Sequence, residues 1–138
     1  MDLLEQLTAD EALFFDGHVD VLPIYIYLRE AILRHCQGTQ IIVKKTQISF
    51  CNRHLFAAAS FLPVRRANMR PASYLTVTFS LPQRLDCARV DASVQVSARR
   101  WTHHVLISQT DHIDAQLIAW LVQAAEFSCG GNRWDNEL

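Results

Sequence analysis

Residues 73–82 read SYLTVTFSLP, and the alternation is strict: Leu75, Val77, Phe79 and Leu81 against Tyr74, Thr76, Thr78 and Ser80. Successive side chains of a strand point to opposite faces, so this stretch is a strand with one apolar and one more polar face. Such a strand cannot stand alone. Its apolar row has to be covered by helices or by a second sheet.

Further strand segments flank it. TQIIVKKTQISFCN (39–52) is rich in β-branched residues, with Ile48 and Phe50 on one side and Gln47, Ser49 and Cys51 on the other. HLFAAASFLPV (54–64) reads as a strand pairing back through a turn near Asn52–Arg53, and VRRANMRP (64–71) as a polar loop. Residues 83–100 carry the weakest pattern, with a short strand around Val94–Val96, and WTHHVLIS (101–108) is the last strand.

Helical spacing appears on both sides of this block. Leu3, Leu4 and Leu7 share a face in a helical region over 2–16, where Thr8 and Glu11 have capping-box spacing and Gly17 marks the end. Val21, Tyr25, Leu28, Ile32 and Cys36 recur at three- and four-residue steps over 20–37, with Pro23 in the first turn, Asp20 as a candidate cap and Gly38 as the stop. Ile113, Leu117, Trp120, Leu121, Ala124 and Ser128 do the same over 111–128, capped by Asp111 or Asp114. The order predicts an α+β fold: a single antiparallel sheet of about five strands, with the N-terminal and C-terminal helices packed on one face. Residues 1–128 are expected to form one domain and 129–138 a flexible tail.

At 138 residues such a domain buries roughly two-thirds of its unfolded surface and needs no staples. Net charge is −1 with histidines neutral, so no global field draws it to nucleic acid or to an anionic membrane. No apolar run approaches the roughly 20 residues of a membrane span. The acidic start MDLLEQLTADE lacks the basic opening of an export signal. Cys36, Cys51, Cys87 and Cys129 are irregularly spaced, which predicts reduced thiols in a cytoplasmic protein rather than a disulfide framework or a metal ribbon. No metal and no cofactor is expected.

Several segments carry a resemblance. KKTQISFCNRHLFAA, NMRPASYLTVTF, RRWTHHVLI and IDAQLIAWLVQAAEFS resemble the bacterial and archaeal domain-of-unknown-function family numbered 5655, over roughly residues 12–128. Members are often labelled predicted transport proteins or endonuclease-associated domains. Lys45, Thr46, Ile48, Ser49, Phe50, Arg70, Pro71 and Arg100 to His104 match the family's pattern. Ala98, Arg99, Cys51 and Ala125 depart from it, the last two by removing a basic residue and a tyrosine that are common there. The resemblance supports the fold and brings no assigned chemistry.

The candidate chemistry gathers around RRWTHHVLIS (99–108). By alternation, Trp101, His103, Val105 and Ile107 share one face, and Thr102, His104 and Leu106 the other. Neighbouring histidines on a strand cannot chelate one metal together. Arg100 stands at the strand entrance and Lys45 before another strand. If those strands pair, the two converge with Arg53 and Arg70 on one rim, where guanidinium groups would hold a phosphate or carboxylate. The candidate ligand-binding set is therefore Lys45, Ser49, Arg53, Arg70, Arg100, His103 and His104. Solvated edge charges and a structural histidine are the plainer account of the same residues. Ser49 lies inside a strand, without the sharp turn of a nucleophile elbow, so a Ser49–His104 pair is a poor nucleophile. Three readings remain open: a non-catalytic module for a small anionic ligand, a protein-interaction or homodimerisation module, and an enzyme using His104 and Arg100.

Overall fold

The computed structural model describes residues 7–130. A short helix α1 (Ala9–Phe14) and a longer α2 (Leu22–His35) precede six strands: β1 (Gln40–Val43), β2 (Gln47–Cys51), β3 (Leu55–Ser60), β4 (Leu75–Leu81), β5 (Ala92–Ser97) and β6 (Arg100–Ile107). Helix α3 (Ala115–Cys129) closes the fold. All neighbouring strands are antiparallel, in the order β1-β2-β3-β4-β6-β5.

The sheet has six strands rather than five because 39–52 is a hairpin. Its apolar runs pair, Ile41 with Phe50 and Val43 with Ile48, and the Lys44 N–H donates to the Gln47 carbonyl across the turn. The two charges of Lys44 and Lys45 interrupt the pattern where the chain reverses. Residues 83–91 are irregular, and β5 follows, joined to β6 through Ala98–Arg99.

The apolar face continues from strand to strand through register. Ile48 pairs with Ala59, Ala59 with Val77 and Val77 with Val105; Phe50 pairs with Ala57, Ala57 with Phe79 and Phe79 with His103. The alanines of β3 leave room for α3, which packs on β3 and β4, while α2 packs beside α3. Tyr25 of α2 also stacks on Phe50 of β2. All five residues of the α2 stripe and all six of the α3 stripe are buried.

Capping follows the residue chemistry. Thr8 and Glu11 form a reciprocal capping box on α1, and the Asp114 carboxylate accepts from the Leu117 N–H at the start of α3. Asp20 does not cap α2: its carboxylate accepts from Ser73 instead, and a single 3-10 turn, Val19–Val21, leads into the helix. Gly17 and Gly38 both take φ of 80°, where a side chain would be strained. Helix α3 reaches Cys129, so the expected tail begins within it. Residues 131–138, together with Leu3 and Leu4, lie outside the described residues. All four cysteines are free thiols. No helix among the described residues is long and apolar enough to cross a membrane.

Candidate functional site

The sheet separates the expected cationic set into two pairs. Lys45 lies in the β1–β2 turn and Arg70 ahead of β4, both at the end where Gln47 pairs with Ser60 and Ser60 with Thr76. Arg53 lies in the β2–β3 turn and Arg100 at the start of β6, at the opposite end, where Cys51 pairs with Leu55 and Leu81 with Trp101. Antiparallel pairing alternates strand ends, so these four residues do not form one rim.

The other expected residues are held by local bonds. Ser49 is fully buried on the face away from the helices, where its hydroxyl accepts from the Gln47 amide at 2.9 Å. It shares a ladder row with Ala58, Thr78 and His104, three strand spacings or about 14 Å across. That distance exceeds the roughly 3 Å reach of a nucleophile–base pair. His104 instead bonds Thr78 through Nδ1 at 2.8 Å, and burial lowers its pKa. Arg100 lies on the same face four residues away, about 13 Å along the strand.

His103 faces the helices and is fully buried. Its ring stacks on Phe79, its Nε2 accepts from the Leu85 N–H at 3.0 Å, and its Nδ1 has no hydrogen-bond partner. Burial lowers its pKa, so it is a neutral core side chain that anchors the irregular 83–91 segment. Arg89 anchors the same segment to α3, donating to Asp114, Gln116 and the His112 carbonyl.

Phe61 shares a cleft with Lys45 and bonds through its carbonyl to Tyr74, over whose ring Arg70 lies. Strand β3 ends at Ser60, so Phe61 follows the alternation onto the helix side, beside the β1–β2 turn that precedes Gln47. The Phe61 ring stacks with His18, at a centroid distance of 4.1 Å and 21° between planes. It also stacks with Phe14, at 5.5 Å and 12°, and meets Phe15 edge-on. The Phe61 carbonyl accepts from the Tyr74 hydroxyl at 2.9 Å, and the Arg70 guanidinium lies over the Tyr74 ring with Nε unbonded.

On the helix side of Phe61 a cleft of about 520 Å³ opens between the α1–α2 segment and the β1–β2 turn. It is lined by Asp10, Leu13, Phe14, Asp16, His18, Val43, Lys44, Lys45, Thr46 and Phe61. These are the only two lysines of the chain. Among the described residues neither forms an ion pair with Asp10 or Asp16. Phe61, His18, Lys44 and Thr46 are absent from the expected set. A lysine pair splitting two β-branched runs marks the turn, but nothing in the sequence announces that Phe61 faces it. A smaller cleft, about 260 Å³, runs along α2 past Pro23, Tyr27, Glu30, Arg34 and Ile118 and contains none of the expected residues. No three His, Cys, Asp or Glu side chains gather as a metal-ligand set among the described residues.

One further polar cluster is closed to solvent. Glu11 is fully buried, and its carboxylate accepts from the Thr8 N–H, the Tyr25 hydroxyl and the Arg29 Nε. Burial raises its pKa, but these three donors and the Arg29 charge outweigh it, so the carboxyl stays below its usual range. The cluster ties α1 to α2 and so fixes one wall of the cleft.

Fold and cleft together define a small α+β module: an antiparallel sheet with its helices on one face and a mixed-charge, aromatic-walled cleft at one end. The chain belongs to the family described as Domain of unknown function (DUF5655), whose match covers residues 11–128. Comparison with curated proteins and with solved structures gives no match.

Proposed function

We propose that this chain is a non-catalytic binding module for a small anionic ligand bearing a phosphate or carboxylate, seated in the Phe61 cleft. The observation that carries the reading is the turn at Lys44–Thr46: two lysines that form no ion pair among the described residues and a hydroxyl, facing an aromatic wall in an open concavity. Of the residues expected from sequence, Lys45 contacts the ligand, and Arg70 supports it from behind Phe61 through Tyr74. Ser49, His103 and His104 are held in structural roles. Arg53 and Arg100 lie at the far end of the sheet and take no part. Ser49 lies about 14 Å from His104 across the ladder, which favours binding over catalysis by that pair, and four free thiols suit a reducing cytoplasm.

The test is thermal stabilisation by phosphate, pyrophosphate and citrate, since a ligand that binds only the folded state raises stability in proportion to RT ln(1 + [L]/Kd). Stabilisation should vanish in Lys44→Ala/Lys45→Ala and persist in Arg100→Ala. Stabilisation that survives the lysine pair and disappears with Arg100 would move the site to the far end.

A second reading has one observation behind it. Edge strand β5, ASVQVS, carries no charge, and Val94 and Val96 are more than half exposed, at 54% and 59%. Uncharged edges invite pairing with another strand, here with a second copy across a two-fold axis. Light scattering would decide it: a dimer that Val94→Lys converts to monomer supports it, and a monomeric wild type rejects it.

A further inference from the structure

The lining of the cleft is more selective than a bare anion requires. Asp10 and Asp16 share it with Lys44 and Lys45, without ion pairs among them. Two exposed carboxylates repel a simple phosphate and favour N–H donors. The rings of Phe14 and His18 lie within 12° and 21° of the Phe61 plane, so the wall consists of near-parallel rings with the exposed His18 outermost. Parallel rings accept a flat aromatic group. The volume of about 520 Å³ falls within the range of ordinary small-molecule sites.

Resting on the anion-binding reading above, we infer that the ligand is a nucleoside monophosphate with an amino-bearing base. Its phosphate sits at Lys44, Lys45 and Thr46, its base stacks on His18, and its exocyclic amino group donates to Asp10 or Asp16. Both lysines and one of the two acids lining the cleft then have a ligand partner of opposite polarity. A bare anion satisfies the lysines and leaves the acids opposed. A neutral aromatic satisfies the wall and leaves the lysines unused.

Calorimetric titration of the full chain with inorganic phosphate, adenosine, AMP, CMP and UMP separates the parts. AMP and CMP should bind about tenfold or more tighter than phosphate or adenosine, as expected when base stacking adds to phosphate contact. UMP should be weaker, because its ring lacks the amino group. His18→Ala should bring AMP down to the phosphate level without changing phosphate itself, and His18→Phe should restore AMP. Asp10→Asn/Asp16→Asn should erase the preference for AMP over UMP. Phosphate binding as tightly as AMP, or His18→Ala weakening both equally, would overturn the nucleotide inference and leave the anion site standing. Absence of both phosphate and AMP binding would overturn both.

Discussion

The ring of His18 lies 4.1 Å from the ring of Phe61, so a residue of the α1–α2 connection completes a wall rooted at the end of β3. The two are 43 positions apart in sequence (61 − 18). Gly17, with φ of 80°, sets the turn that delivers His18, and the Glu11–Tyr25–Arg29 cluster holds the helices on either side of it. The cleft is therefore built by helix packing as much as by the sheet.

Loss of the Glu11 carboxylate should loosen that packing. Glu11→Ala leaves the Arg29 guanidinium and the Tyr25 hydroxyl without their shared acceptor, and removing one partner of a buried pair costs about 3–5 kcal/mol. The folded-state pKa of Glu11 lies below its ordinary value of 4.5. Its stabilisation is therefore complete above that pH and fades as pH falls through the folded pKa. Urea denaturation at pH 7 and pH 3 should show a large Glu11→Ala deficit at pH 7 and a smaller one at pH 3.

His103 should give a second acid-sensitive window at higher pH. Burial lowers its pKa from 6.5, so the unfolded chain takes up a proton before the folded chain does. Stability falls as pH drops below about 6.5 and levels off below the folded pKa, with a slope of up to about 1.4 kcal/mol per pH unit. His103→Leu strands the Leu85 N–H, at a cost of about 1–3 kcal/mol near neutrality. The same substitution should reduce the slope between pH 6.5 and 5 in chemical denaturation, with the half-buried His104 retaining its own share.

Asp91 fastens the segment after β3. Its carboxylate accepts from the Arg65 Nε at 2.7 Å and from the Leu106 N–H at 2.7 Å, and the Thr76 hydroxyl donates to the Leu62 carbonyl nearby. Asp91→Ala should cost about 2 kcal/mol and speed amide exchange at Leu106 and across 61–66. Unchanged exchange there would show that Leu62 alone holds the segment.

The helices and strands were legible because their apolar periods are uninterrupted. The stripes of α2 and α3 and the alternation of β4 all describe buried rows, and the alternation of β6 placed His103 and His104 on opposite faces. The hairpin within 39–52 was hidden because Ile41, Ile42, Val43 and Ile48 read as one β-branched run, and only the lysine pair marks the reversal. The site was harder. Convergence of Lys45, Arg53, Arg70 and Arg100 depended on strand order and direction, and a period-two pattern carries neither. The His18–Phe61 contact joins a helix connection to a strand end, a relation set by three-dimensional packing alone.

The central claim is that the anion site lies at the Phe61 end of the sheet. Titration of the isotopically labelled protein with phosphate, followed by amide chemical-shift mapping, tests it most directly. Shifts should concentrate at Asp10–His18, Val43–Thr46 and Phe61, with Arg53 and Arg100 unmoved. Shifts centred on Arg53 and Arg100, or none at all, would contradict the account.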